Sequence, residues 1–261
     1  MRLTASIVNY NDFENTQNAV ESILAHTVET DFCLYVVDNS TGPASAERLR
    51  ELFPAIEVIR VQKNEGFGAA HNLVIKKTDS AYHAIINPDI TVKSDVLGEL
   101  GAFFDANPDI GIACPATFFP DGRPQLLPKK NPTFKYLAAS RLPCGWAEKA
   151  RAHYTMEDED LSRVRDVEFV TGCFMFARTG LLKRVGGFDE RYFLYLEDAD
   201  LTREIRKYAR AVYVPSIKVT HNWNRKSAQS IKYFLIHIAS VLKYMKKWKK
   251  EDKHRSEGGL Q

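Results

Sequence analysis

Apolar residues fall in short runs broken by polar, glycine and proline positions, and the runs alternate between two patterns. Residues 3–8, 32–37, 56–61 and 82–86 are largely continuous hydrophobic stretches, as expected of parallel strands covered on both faces. The segments between them, 14–25, 45–53 and 69–76, read as helices, with Ala19, Val20, Ile23 and Leu24 forming the buried stripe of the first. A helix over 94–106 and a strand over 110–115 follow. Pro120-Asp121-Gly122-Arg123 then marks a turn that predicts a hairpin within 116–127. Strands alternating with helices, joined by right-handed crossovers, predict an α/β fold: a doubly wound, mostly parallel sheet with helices on both faces.

The second half is less regular. Residues 128–166 read as a mobile insertion with helical pieces such as 136–142, and the run Glu157-Asp158-Glu159-Asp160 reads as a solvated face. Strand character returns over 167–177, interrupted at Thr171-Gly172. A helix over 179–185 should end at Gly186-Gly187, and another should run from Glu197 to about Tyr208. Two short strands, 211–214 and 217–220, deliver His221. A last helix, capped by Ser227 or Ser230, carries Ile231, Phe234, Leu235, Ile238, Val241, Leu242, Met245 and Trp248 at helical spacing. The expected organisation is one domain over 1–222, divided near residue 115, followed by a basic amphipathic helix and tail over 223–261.

Composition narrows the class. A chain of 261 residues with 44% hydrophobic and 26% charged content has enough apolar material for a sizeable globular core. Cys33, Cys114, Cys144 and Cys173 show no paired metal-ligand spacing, and three of them lie in apolar runs. They read as reduced thiols of a cytoplasmic protein. The amino terminus is too soon polar for a signal peptide, and no apolar run approaches a bilayer span. The net charge of +3 is unevenly spread. Residues 225–255 carry ten Lys or Arg against two Asp or Glu, so the remainder is net acidic. The basic helix either packs on the body with solvated lysines or lies, through 231–255, on an anionic membrane at the inner face of the cell membrane. Nucleic acid is not expected, since no nucleic-acid-binding motif accompanies the charge.

Chemistry concentrates where predicted strands end. Asn9 and Asn11 follow the first strand, Asp38 the second, and Asn87-Pro88-Asp89 the fourth. In open α/β sheets ligands bind at that carboxyl edge, and a carboxylate there can hold a divalent cation bound to a diphosphate. Asn87-Pro88-Asp89 alone also reads as a plain turn. Asn64-Glu65-Gly66-Phe67-Gly68 leads into a helix whose N-terminus favours an anion. It lacks the third glycine of a dinucleotide fingerprint and the Gly-Lys-Ser/Thr of a P-loop, so a tight turn fits equally. Glu197, Asp198 and Asp200 complement a helix dipole, but three carboxylates within four residues exceed what capping needs. His221, at a strand end, is a candidate metal ligand.

Val8-Asn9-Tyr10-Asn11, Val37-Asp38-Asn39-Ser40, Asn64 to Asn72, Asn87-Pro88-Asp89, Gly172-Cys173-Phe174-Met175, Gly187-Phe188-Asp189-Glu190 and Glu197-Asp198-Ala199-Asp200 come in an order that resembles family-2 glycosyltransferases, and most of all their rhamnosyltransferase-like branch. The resemblance covers residues 3–222. It implies an A-type nucleotide-sugar-binding fold and inverting transfer from dTDP-rhamnose or a UDP-hexose to a glycan or lipid-linked glycan, in bacterial surface polysaccharide synthesis. On this footing Asp38 contacts the base or ribose, and Asn9, Asn11, Asn64, Gly66, Gly68, Asn72 and Asn87 line the donor. Asp89 and His221 hold a divalent metal, Mn or Mg, and Asp198 is the general base. Glu197, Asp200 and Gly172 support the base or the acceptor. Asn87 departs from the family's Asp-x-Asp pattern and leaves the site less negative. A nucleotidyltransferase is disfavoured, because Asn9-Tyr10-Asn11-Asp12 stands where it would have a glycine- and arginine-containing loop. A non-catalytic nucleotide-sugar-binding or scaffold protein of the same fold is the alternative reading.

Overall fold

The computed structural model describes residues 2–28, 31–139, 144–223 and 231–258. Strands β1 (Leu3–Asn9), β2 (Phe32–Asp38), β3 (Glu57–Arg60) and β4 (Tyr82–Ile86) alternate with helices α1 (Phe13–His26), α2 (Ala44–Leu52) and α3 (Phe67–Lys77). The four strands pair in parallel in the order β3-β2-β1-β4. Asn9 stands opposite Asp38 and Ile7 opposite Ile86, so the polar strand ends lie side by side on one edge. Beneath that edge Leu3, Ile7, Ile23, Leu34, Phe104, Phe174 and Phe176 belong to one core cluster.

The chain continues through β5 (Ile90–Thr91), α4 (Val96–Ala106), β6 (Ile110–Phe118), β7 (Pro124–Gln125), α5 (Phe134–Ala139), α6 (Gly145–Tyr154) and β8 (Arg165–Asp166). Then come β9 (Phe174–Arg178), α7 (Thr179–Arg184), α8 (Glu197–Ile205), β10 (Arg210–His221) and α9 (Ile231–Gly258). All ten strands join one sheet, and β6 and β10 form a second parallel pair. Strand β9 lies between β4 and β6 and runs antiparallel to both. This reversal matters for function. It brings the start of β9, with Thr171, Gly172 and Cys173 before it, to the edge where β4 delivers Asn87 and Asp89.

Several elements differ from the hydrophobic pattern. Residues 210–221 form one bent strand rather than two, with the register shift against β6 falling between Val214 and Lys218. Pro215 lies in that bulge and Pro115 faces Val214 across it; neither proline has an N–H for the ladder. The insertion contains two helices packed through Ala139, Ala147 and Ala150, with the Tyr136 and Tyr154 rings stacked at 5.1 Å. The expected helical piece 136–142 lies partly outside the described residues. Its acidic run is not merely solvated, because Glu159 pairs with Lys130 and Asp158 with His153.

Helix α9 has two apolar faces rather than the single expected stripe. Val241, Tyr244 and Trp248 are buried against Phe169, Tyr192, Leu196 and Ala199. Ile231, Phe234, Leu235 and Leu242 are exposed. The buried face is tied to α8: Trp248 Nε1 and Lys247 Nζ donate to Asp200 at 2.8 and 2.7 Å. Arg203 also pairs with Asp252, and Lys207 with Glu251. The Ser227 and Ser230 caps lie outside the described residues.

Candidate active site

Asp38 ends β2 fully buried. Its Oδ1 accepts from Asn9 Nδ2 (2.9 Å) and the Ser40 N–H (3.2 Å), while Oδ2 is buried with no partner in the protein. An orphaned carboxylate oxygen is costly unless a ligand satisfies it. Asn9 is committed to the scaffold: its Oδ1 accepts from the Asp12 N–H and Thr16 Oγ1. Asn11, in the left-handed region at φ 53°, uses its Oδ1 to hold Thr41. These two asparagines shape the loops around Asp38.

The glycine loop is built for close packing. At Gly66, φ is 109° and an added Cβ would stand 2.2 Å from the Phe193 carbonyl oxygen. That oxygen accepts from the Phe67 N–H, so one free amide of the α3 N-terminus is already used. Asn64 Oδ1 accepts from Gly66 N (2.9 Å), and a Cβ on Gly68 would strike Phe188. Asn72 is buried, and its amide bonds Phe188 N, Phe188 O and Glu190. Gly66, Gly68 and Asn72 therefore lock α3 to the 187–193 segment, with Asn64 bracing the loop at Gly66, a role that spacing alone did not reveal.

At the end of β4, the Asn87 N–H donates to the Cys173 carbonyl (2.9 Å) and the Asn222 N–H to the Asp89 carbonyl (2.8 Å). His221 stands opposite Ile90 on neighbouring antiparallel strands. Asp89 Oδ1 and His221 Nε2 consequently face each other at 3.2 Å. Gln125 fixes the imidazole. Its Nε2 donates to the His221 carbonyl (2.9 Å), and its Oε1 lies 2.8 Å from His221 Nδ1. That arrangement makes Nδ1 the donor to Gln125 and turns Nε2 towards Asp89, the orientation found in metal-bound histidines. Asp89 Oδ1 and His221 Nε2 are both buried without a hydrogen-bond partner. An imidazole nitrogen and a carboxylate oxygen so placed are a donor set that fits a divalent metal. Among the described residues no group of three acidic, histidine or cysteine side chains gathers at one point. The remaining ligands would come from the donor and water.

Asp198 is delivered by the start of a helix. Tyr195 and Leu196 are consecutive left-handed residues (φ 72° and 66°), a turn that costs free energy for side chains of this kind. The turn starts α8 so that Glu197 and Asp198 lie in its first turn. Asp198 Oδ2 accepts from the Gly172 N–H (2.8 Å) and Oδ1 from the Ala199 N–H (2.9 Å). A Cβ at Gly172 would press on Asp198 at 3.3 Å. Burial raises the Asp198 carboxyl, opposed by the Gly172 N–H and by the charge of Lys129. Burial, followed by the Asp198 charge, lifts Glu197 well above the carboxylate range, and Glu197 Oε2 has no partner. Both carboxyls are thus raised by burial, and only Asp198 has backbone N–H groups and a cation that oppose the rise. Asp200, by contrast, is turned into the protein and anchors α9.

Gly172 bonds Asp198 and Cys173 bonds Asn87, so consecutive residues join the two halves of the site. Burial foremost, with added repulsion from Asp89 and Asp198, pushes the Cys173 thiol up to about 12 against a Thr171 hydrogen bond. The charges of both carboxylates are therefore felt at one buried thiol. Sequence reasoning had no signal for Gln125, whose partner is 96 residues away, or for Lys129 inside the insertion.

A family model described as Glycosyl transferase family 2 matches residues 4–186. An N-acetylglucosaminyl-diphospho-decaprenol L-rhamnosyltransferase of Mycobacterium tuberculosis is 26% identical over 216 residues, 76% of this chain and 69% of that protein. Rhamnosyltransferase WbbL of Escherichia coli is 36% identical over 83 residues, 30% of this chain and 31% of that one. Among solved structures, the mannosyltransferase PcManGT from Pyrobaculum calidifontis, in complex with GDP-Man and Mn2+, superposes with a TM-score of 0.60 at 18% identity. The match covers 86% of this chain but only 58% of that one. GalNAc-T7 with UDP, GalNAc and Mn2+ gives 0.64 at 15% identity, over 84% and 43% of the two chains. These structural likenesses show a shared fold. The family match spans well over half of the sequence, and the chain belongs to glycosyltransferase family 2.

Proposed function

We propose that this glycosyltransferase moves a sugar, rhamnose foremost, from a nucleotide-diphosphate donor to a hydroxyl of a lipid-linked glycan acceptor, with inversion at the anomeric carbon. The observation that carries the reading is the pair Asp89 Oδ1 and His221 Nε2, buried and 3.2 Å apart, with Asp198 joined to the same edge through the consecutive residues Gly172 and Cys173. The choice of rhamnose and of a lipid diphosphate carrier rests on the names of the two similar proteins.

Each group has a task set by its surroundings. Asp38 Oδ2 accepts from the base or ribose of the donor. Asp89 and His221 hold Mn2+ or Mg2+; when bound, the cation supplies positive charge to the departing diphosphate. Asn87, an amide where the family has a carboxylate, keeps the site less negative. Asp198 accepts the proton of the acceptor hydroxyl as its oxygen bonds the anomeric carbon and the diphosphate oxygen leaves from the far face. The Gly172 and Ala199 amides hold that carboxylate in one orientation. Burial and the Asp198 charge raise the neighbouring Glu197 carboxyl, which opposes a second negative charge beside the base.

Asp198→Asn keeps the shape and removes the proton acceptor. The turnover rate should fall roughly 10²- to 10⁴-fold, with donor affinity changed less than threefold. Near-native turnover in this variant would sink the assignment.

A further inference from the structure

We infer that the groove between α5 and α9 seats a polyisoprenoid tail, and that the Lys129 ammonium holds the diphosphate joining this tail to the acceptor sugar. The inference rests on the transferase reading and extends it to the part of the acceptor remote from the reacting hydroxyl.

The groove has a volume of about 940 Å³. Phe134 and Tyr136 line one wall, and Leu242, Met245 and Trp248 the other. Phe134 is 64% exposed and Leu242 59%, so large apolar surface faces solvent on both sides. The charges on the rim are mostly cationic. Its acids are already engaged: Glu168 accepts the Asn131 N–H at 2.8 Å and Asp252 pairs with Arg203 at 2.5 Å. Lys130 is spent on Glu159. Lys246 and Lys249 make no ion pair among the described residues, and they suit a ligand with an apolar body and an anionic head.

Two stretches of chain lead from this groove to the base. Lys130 to Phe134 line the groove, and Lys129 comes directly before them. Glu168 lines it too, and four residues later the Gly172 N–H bonds Asp198. Four residues span at most about 14 Å, the length scale of a sugar diphosphate. Lys129 sits midway. Its backbone bridges to Phe169, and its Nζ lies 5.4 Å from the Phe169 ring centre and 5.8 Å from that of Tyr154. It makes no side-chain hydrogen bond or ion pair among the described residues, although a partly buried ammonium has three N–H groups to satisfy. Burial lowers its proton affinity while the charge of Asp198 supports it, so an arriving diphosphate would complete its partners. The order sugar hydroxyl at Asp198, diphosphate at Lys129, apolar tail at Leu242 matches the order of groups in a lipid-linked sugar.

The test uses the full chain in chelator, so that no cation draws diphosphate to Asp89. Farnesyl diphosphate and inorganic diphosphate are titrated by calorimetry, with circular dichroism melts as the folding control. Farnesyl diphosphate should bind at least tenfold more tightly than inorganic diphosphate. Leu242→Asp, a change at an exposed position, should reduce that preference below threefold. Lys129→Met should weaken both ligands about tenfold, and Lys129→Arg should restore them. Equal affinity for the two ligands, or an unchanged preference in Leu242→Asp, would overturn the inference. So would phosphatidylglycerol vesicles that bind through Leu242 and are not displaced by farnesyl diphosphate, which would make the face a membrane surface. A concentration-dependent dimer abolished by Leu242→Asp would assign it instead to a second copy of the chain. Nucleotide-sugar binding with Mn2+, measured on the same preparation, separates the two levels. Its loss with farnesyl diphosphate binding intact counts against the transferase reading alone.

Discussion

Replacing His83 with Gln should flatten the acid side of the protein's stability curve. His83 is fully buried between β1 and β4 neighbours, its Nδ1 2.8 Å from Thr4 Oγ1 and its Nε2 2.9 Å from Ser6 Oγ. Ser6 Oγ also meets His71 Nδ1 at 2.7 Å, so the network ties the first strand to the α3 helix of the glycine loop. Burial holds His83 down to about 3, against an ordinary value of 6.5. The imidazole is therefore neutral in the fold and charged in the unfolded chain below about pH 6.5. Its folded value is the lower one, so the unfolded state takes up the extra proton as pH falls. Stability is full above about 6.5 and declines by roughly 1.4 kcal/mol per pH unit down to the folded value. Between pH 6.5 and 5 that amounts to about 2 kcal/mol, a large fraction of a typical 5–15 kcal/mol total. His71 is lowered by burial and by His83 and acts in the same direction; Glu197, raised in the fold, acts in the opposite one. Comparison with His83→Gln removes both contributions. Urea unfolding followed by circular dichroism at half-unit steps from pH 7 to 4.5 should give slopes that differ by about 1.4 kcal/mol per unit below pH 6. Parallel curves would refute the reasoning, because they would mean that His83 titrates in the fold as it does in the open chain.

Gly66→Ala should lower stability by at least about 2 kcal/mol in urea unfolding, since a Cβ at φ 109° meets the Phe193 oxygen at 2.2 Å. Asp200→Ala strips the acceptor from Trp248 Nε1 and one of the three carboxylates around Lys247, which keeps Glu204 and Asp189, a loss of about 1–3 kcal/mol. Limited proteolysis should then cut α9 at least tenfold faster than in the native chain, and an unchanged cleavage rate would rule out the anchoring role.

The parallel half was legible because each of its strands is a buried run ended by a polar turn. Asp38, Asp89 and Asp198 stood out for the same reason, being charged residues placed where apolar patterns stop. The direction of β9 was hidden: Phe174 to Arg178 pairs equally well by composition in either sense, yet its reversal is what carries Gly172 to Asp198. The two faces of α9 merge into one stripe when read by spacing, since Leu242 adjoins Val241 and only packing against Phe169 and Leu196 decides which is covered. Gly66, Gly68 and Asn72 read as a ligand loop, and they also make contacts with Phe193, Phe188 and Glu190, more than 110 residues away, which spacing could not show. Long-range partners of this kind leave no local pattern.

In the proposed reaction Asp89 and His221 hold the cation that binds the donor. Calorimetry of a nucleotide-sugar panel led by dTDP-rhamnose, with Mn2+ or with chelator, tests it most directly. One donor should bind with Mn2+ and raise unfolding stability by about 2.7 kcal/mol at 100 times its dissociation constant. That binding should weaken at least tenfold in chelator and in Asp89→Ala or His221→Ala. Donor binding of equal strength in chelator and in both variants would contradict the account.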